Sequence, residues 1–447
     1  MDQLNPIQTQ TIGDDVGPEM DQIDKILSEK PVLLANPGTV IDNSLYYSFS
    51  NAQLVVAESV QNHGRFSQSL QSPQFGSTSS VTIPNSSFLS GLALELELGA
   101  LGENQFLPRG WGLQAIESVS FILGSSNVSQ LTINGQSHAA MYMAGCETQE
   151  KRLKAMRLAG EEYSAGVAQA PGTVNRAYVQ LQLPWSRISA LCKKLPVDTN
   201  LLSNPIIIQI RFRQQNEIIG GSNFAAGPQS FDVAKLYATQ IDLMDKSLSL
   251  KNFMFAEPNL TYNYPFIFTQ SYTQDFIGSI TDPVNLNLLT IINADLVGIQ
   301  FQVVKQSNLS AGAGGTNALS PFNWERVKDV LLTFNGLVFY DAPGDMSELY
   351  DLQDYPGTGM VPYSVVSGGG AGPYVSSPQD VRSTYISMTR LRNTMFCDHF
   401  QNSLRIANNA LNLSFRTDSN ESYRLYVTYY YNAVFGIRQG QSALILE

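Results

Sequence analysis

Apolar and polar residues alternate with a period of two over much of the chain, and that period is the signature of β-strands. The cleanest stretch is Leu92 to Leu98 (LALELEL). Leu92, Leu94, Leu96 and Leu98 fall on one side and Ala93, Glu95 and Glu97 on the other, as in a strand with one face buried. The runs Ala115 to Leu123, Leu131 to Ile133, Tyr178 to Leu183, Pro205 to Phe212 and Leu236 to Met244 behave in the same way. Leu45 to Val60 (LYYSFSNAQLVVAESV) is rich in the aromatic and β-branched residues that favour strands. Further along, Asn263 to Phe276, Leu286 to Ala294, Val297 to Val304, Val330 to Phe334, Leu337 to Tyr340, Ala410 to Phe415 and Tyr423 to Phe435 repeat the pattern. Clusters of Gly, Asn, Ser and Pro separate the runs, which predicts an all-β sandwich or barrel architecture.

One segment departs from this period. Glu147 to Glu162 (ETQEKRLKAMRLAGEE) reads as a helix, with Leu153, Met156 and Leu158 on an apolar side and Lys151, Arg152, Lys154 and Arg157 in water. Glycine-rich stretches at 220–227, 311–315 and 368–373 read as long exposed loops. Residues 1–40 read as an arm, with seven acids and two lysines in the first thirty residues and a short amphipathic turn from Met20 to Leu27.

The two halves of the chain repeat one another. Leu131-Thr132-Ile133-Asn134-Gly135 matches Leu332-Thr333-Phe334-Asn335-Gly336. Ile210-Arg211-Phe212-Arg213 matches Leu413-Ser414-Phe415-Arg416, and Leu236-Tyr237-Ala238-Thr239 matches Leu425-Tyr426-Val427-Thr428. Three matches in the same order indicate a duplication. Asn134-Gly135 and Asn335-Gly336 each follow a strand and read as hairpin turns, because both residue types tolerate positive φ. Asp245 to Pro258 reads as the connection. The division expected is an arm at 1–40, a first sandwich at 41–245, a linker at 246–258 and a second sandwich at 259–447.

Composition narrows the function. Hydrophobic residues make up 43% of the 447 residues, enough for two cores, but charged residues only 15%. A surface short of charge and rich in Tyr, Asn and Ser suits a protein covered by neighbours. The net charge of −11 argues against direct nucleic-acid binding, which needs many Lys and Arg. No apolar run is long enough for a spanning helix, and the polar, acidic N-terminus does not read as a signal peptide. The odd, scattered cysteines (Cys146, Cys192, Cys397) read as reduced thiols of a cell interior. The Asn-x-Ser/Thr triplets at Asn85, Asn127, Asn259, Asn308, Asn412 and Asn420 read as by-products of an Asn- and Ser-rich chain.

Gly110-Trp111-Gly112, followed by AIESVSFILGSSNVSQLTINGQSHAAMY and the helix EKRLKAMRLAGEEY, resembles the first jelly roll of double jelly-roll major capsid proteins. These build the shells of nucleocytoplasmic large DNA viruses, virophages and related tailless icosahedral viruses. The segments Leu181-Gln182-Leu183-Pro184-Trp185 and Leu195-Pro196 continue the likeness. It covers most of 45–245 in outline, and 260–440 through the repeat. The first strand pair and the long loops carry no recognisable family residues.

The resemblance implies two tandem eight-stranded jelly-roll β-sandwiches with short helices in the inter-strand loops. It implies a structural major capsid protein that forms a homotrimer, a pseudo-hexameric capsomer tiling an icosahedral virion. Expected partners are neighbouring capsomers and the minor capsid and penton proteins. The arm would point inward, toward an internal membrane or a minor capsid protein. The shell would be assembled inside the host cell. A minor capsid or penton-type protein, and a carbohydrate-binding β-sandwich protein, are the competing readings. The last of these predicts solvent-facing tryptophans, whereas Trp111, Trp185 and Trp324 all sit in patterned segments that read as core.

No catalytic, cofactor or metal residues are expected. The histidines are His63, His138 and His399. Cys397-Asp398-His399 groups three potential ligands without the spacing of a zinc site, and Cys397 with His399 lacks an orienting third group. Glu95 and Glu97 share a strand face, where a solvated or intersubunit surface outweighs glycoside chemistry. GGGAG at 368–372 lacks the Lys-Ser/Thr of a phosphate loop.

Overall fold

In the computed structural model, the chain is described over residues 60–71, 73–85, 88–122, 130–144, 146, 149–165, 167–181, 197–199, 202–221, 224–243, 261–291, 293–309, 324–347, 361–367, 375–381, 383–388, 404–406, 411–438 and 441–446. The arm at 1–40, the linker at 246–258, and the predicted strand at Leu45 to Val60 (except Val60) lie outside these residues.

Among the described residues, eight main strands build the first half, besides three two-residue strands: β1 (Val60–Ser69), β2 (Thr78–Ile83), β3 (Phe88–Leu98), β4 (Ile116–Ile122), β5 (Gln130–Asn134), β6 (Asn175–Leu181), β7 (Ile206–Phe212) and β8 (Val233–Leu243). They form two antiparallel sheets, in the orders β1-β8-β3-β6 and β2-β7-β4-β5. The second half uses β9 (Thr261–Ile277), β10 (Val284–Leu288), β11 (Asp295–Lys305), β12 (Val327–Phe334), β13 (Leu337–Ala342), β14 (Thr384–Ser387), β15 (Leu411–Thr417) and β16 (Ser422–Arg438). Its sheets run β9-β16-β11-β14 and β10-β15-β12-β13. Each strand of the second half occupies the place of the strand eight numbers earlier. Both halves are therefore eight-stranded jelly rolls of identical topology.

Strand periodicity drives this packing. Leu92, Leu94, Leu96 and Leu98 on β3 are all essentially buried. Leu94 pairs across with Leu236 on β8 and Val179 on β6, so one leucine register is shared by three strands. Each such side chain contributes about 1.5–3 kcal/mol by leaving water. The second core is more aromatic. Phe276 meets Phe415 edge-on at 5.5 Å and stacks on Tyr423 at 5.6 Å.

Several expectations are corrected. The Leu131–Gly135 and Leu332–Gly336 segments lie on β5 and β12, which are not equivalent strands. The other two matches fall on true counterparts, β7 with β15 and β8 with β16. Asn134-Gly135 is not a hairpin turn: it opens helix α2. With α1 (Trp111–Gln114) before it, α2 (Gly135–Ala144) and α3 (Gln149–Leu158) fill the connection from β5 to β6. The Asn134 Oδ1 accepts the Ser137 backbone N–H at 2.7 Å, because Asn is also a favoured helix N-cap. Gly135 is needed there for space: a Cβ would sit 2.0 Å from the Ile116 carbonyl oxygen. Asn335 and Gly336, by contrast, link β12 to β13 with φ of 50° and 77°.

Helix α2 escaped the sequence reading because it has no wet side, and every described side chain in it is buried. Helix α3 lies inside the expected span, yet it buries Ala155 and Met156 and leaves Leu153 and Leu158 exposed. The run Leu286 to Ala294 ends as a strand at Leu288. The hairpin of Val361–Ser367 with Val375–Val381 was not anticipated.

Candidate assembly surface

Among the described residues, those considered for chemistry do not converge on a metal site. Cys192, Cys397, Asp398, His399, Trp185 and the 368–372 loop lie outside the described residues. Cys146 is half-buried, with its thiol 3.5 Å from the Tyr142 carbonyl oxygen. His138 is fully enclosed on α2, and burial pushes its pKa down to about 4. Among the described residues, no three His, Cys, Asp or Glu side chains group as a metal site, and no helix is long and apolar enough to cross a membrane. On α3, Lys154 and Arg157 face water, and Arg157 pairs with Glu161 at 2.9 Å.

Two faces stand out instead. The first is the seam between the rolls. Helix α2 packs on β16, and β5 packs on β9. Trp324 Nε1 donates to Gln136 Oε1 at 2.9 Å, a buried bond that joins the halves. The Asn134 backbone N–H reaches Ser271 Oγ at 3.4 Å. Val304, Trp324, Tyr426 and Ala433 belong to the hydrophobic cluster of the first roll although they come from the second. β11 is buried on both faces from Leu296 to Val304, and β16 from Leu425 to Tyr431, with the first roll over Val304 and Tyr426 and with Tyr385 against Val297 and Tyr430. Tyr430 donates to Gln300 Oε1 at 2.7 Å within this layer. Burial, above all, raises the pKa of the Tyr426 phenol.

The second face is the outer side of the β1-β8-β3-β6 sheet, which nothing in the described chain covers. Here β3 and β8 alternate strictly between buried and half-buried positions. Glu95 sits at the centre and accepts from the Tyr178 hydroxyl at 2.9 Å and the Tyr237 hydroxyl at 2.6 Å, one on each carboxylate oxygen. These bonds hold both phenols protonated, and Tyr237 is pushed up to about 12. Arg176 reaches Glu97 at 2.5 Å, and the Lys235 ammonium lies 5.0 Å from the Tyr237 ring centroid. The shared face of Glu95 and Glu97 was legible in the sequence. The two tyrosines that meet Glu95 from neighbouring strands were not, because their register depends on how β6 and β8 pair with β3.

No family model matches the sequence, and no curated protein matches it. Solved structures do. VP54 of PBCV-1, in a crystal structure fitted into a cryo-EM reconstruction of the virophage Sputnik, is similar at 14% identity and a TM-score of 0.59, over 86% of this chain and 96% of that one. A quasi-atomic model of the PBCV-1 capsid gives 14% and 0.55, over 86% and 96%. The Faustovirus major capsid protein gives 10% and 0.55, over 86% and 90%. The chain has the double jelly-roll fold of these capsid proteins.

Proposed function

We propose that this chain is a major capsid protein whose copies trimerise into a six-sided tile of an icosahedral shell. The observation that carries it is the complete duplication: two eight-stranded rolls of one topology, packed side by side through a buried seam. Two such units per chain supply six per trimer. The likeness of fold to capsid proteins over most of the chain supports the same reading. Neighbouring capsomers and minor capsid and penton proteins are the partners this role requires, and the virion is its place.

The proposed limits are an arm at 1–40, a first roll to 245, a linker at 246–258 and a second roll from 259. The acidic arm suits docking on a protein better than on anionic lipid or nucleic acid, since like charges repel.

Light scattering coupled to size exclusion tests the proposal. The expected mass is three times 49.1 kDa, with hexagonal outlines under the electron microscope. A folded chain that stays monomeric at all concentrations would refute it. Removing residues 1–40 should leave the trimer intact and impair shell formation, and normal shells would refute a docking role for the arm.

A further inference from the structure

We infer that the outer face of the β1-β8-β3-β6 sheet is the seat for the second roll of another copy of this chain. The inference rests on the capsomer reading and adds the surfaces that make the contact.

The argument comes from the duplication itself. The matched segments Leu236-Tyr237-Ala238-Thr239 and Leu425-Tyr426-Val427-Thr428 lie on β8 and β16 in one register. Leu236 pairs with Leu94 on β3, and Leu425 pairs with Val303 on β11. Tyr237 and Tyr426 therefore occupy the same outward position, as do Thr239 and Thr428. In the second roll that position is covered: Tyr426 is 6% exposed and packs into the hydrophobic cluster of the first roll, and Thr428 beside it is fully buried. In the first roll the same face is open, and Tyr178 is 42% exposed. An identical Tyr and Thr kept on two equivalent faces, one already an interface, points to the same use for the other.

The covering element is identified in the same way. Within the chain, β5 and α2 of the first roll cover the second roll. The counterpart of β5 is β13, and it presents Leu337 at 62% and Val338 at 52% exposure. Exposed apolar side chains at the start of a strand are unfavourable in water and suit burial against a neighbour. The contact is heterologous, since each copy offers a different surface at each end, and such contacts close into rings when the rotation permits.

The two seams differ in chemistry. At the register position of Glu95 the second roll has Val304, fully buried. The seam between copies thus carries a carboxylate where the seam within the chain is apolar. Glu95 enters it with both oxygens already hydrogen-bonded, which lowers the cost of covering it.

Two variants test this. Ala93→Arg places a long charged side chain at the centre of the open face, beside Tyr237. Val338→Asp charges the exposed start of β13. Each is expected to weaken self-association roughly 100-fold or more, as unpaired charge at an interface core does, with circular dichroism and melting temperature of the monomer unchanged. An equimolar mixture should give a dimer of one copy of each, because one intact seam remains between them. If either folded variant still forms trimers as the wild type does, the inference fails while the capsomer reading stands. If the wild type itself never associates, the capsomer reading fails. Should a variant not fold, hydroxyl-radical footprinting of the wild type decides: Tyr178 and Tyr237 should be protected on trimer formation, and unchanged labelling overturns the inference.

Discussion

His138 makes the stability of this protein depend on pH in a window that its low-titrating carboxylates, Asp275 and Asp329, do not share. The imidazole is fully buried on α2, and burial lowers its pKa from 6.5 to about 4. The folded chain therefore holds it neutral while the unfolded chain takes up a proton. Stability from this group is fully present above pH 6.5, falls as the pH drops toward 4, and falls no further below that. Each tenfold difference in proton affinity between the folded and unfolded chain corresponds to about 1.4 kcal/mol, so the whole window amounts to about 3 kcal/mol, most of it lost between about pH 7.5 and about pH 4.5. Asp275, held low chiefly by its bond to Arg424, and Asp329, held low chiefly by the Gly344 N–H, lose stability only at and below the ordinary carboxylate range. Glu325, raised by burial, acts with the opposite sign near the bottom of the window. Urea unfolding of wild type and His138→Gln at matched protein concentration reads the effect. The variant is expected to lose most of the slope between those two pH values, whatever its absolute stability. An identical slope in both proteins would refute the assignment.

Three other expectations can be checked by melting and titration. Trp324→Phe removes the donor to a buried Gln136 Oε1 and should cost about 1–3 kcal/mol, with a large coupling to Gln136→Leu in a double-mutant cycle; additive losses would show that the bond does not tie the rolls. Gly135→Ala should be far worse than Gly336→Ala. The first drives a Cβ into the Ile116 carbonyl, whereas the second meets nothing within 4 Å and costs only the roughly 1 kcal/mol of a positive φ. Tyr142 is pushed up to about 12 by burial and then by the charge of Cys146, while burial raises Tyr429 and Tyr431 further. Because the folded state keeps these protons, stability should fall as pH rises above 10, and their ionisation should coincide with the loss of circular dichroism instead of preceding it.

The fold was legible wherever one face of a strand is wet. Leu92 to Leu98 and Pro205 to Phe212 announce themselves by alternation because water and core lie on opposite sides. Legibility fails where both sides are covered or both are polar. Helix α2 is enclosed all round, so it carries no amphipathic period. β1 (VQNHGRFSQS) is a largely polar strand at the edge of its sheet, and its sequence gives almost no apolar signal. The misplaced match of β5 with β12 has a related cause. The two segments lie in equivalent sheets and alternate alike, and only topology separates the Asn-Gly that caps a helix from the Asn-Gly that turns a hairpin. The Glu95 network was half legible: periodicity gave the face, but the tyrosines arrive from strands about 80 and 140 positions away in sequence, a distance that no local pattern spans.

Duplication gives this chain its asymmetry. A single roll has an outer sheet on one side and the β5 or β13 edge on the other, and repeating it head to tail covers one of each and leaves the other pair free. The covered pair is apolar and aromatic around Val304, Trp324 and Tyr426, as suits a permanent contact. The free pair carries the matched tyrosine and threonine together with Glu95, Glu97, Arg176 and Lys235, charges that suit a sheet open to water. In the tile proposed above, a face that must be wet in the free chain and covered after assembly cannot be apolar throughout. A carboxylate satisfied on both oxygens by its own sheet meets both demands, because its hydrogen bonds stay within one copy and do not have to be exchanged when a second copy arrives.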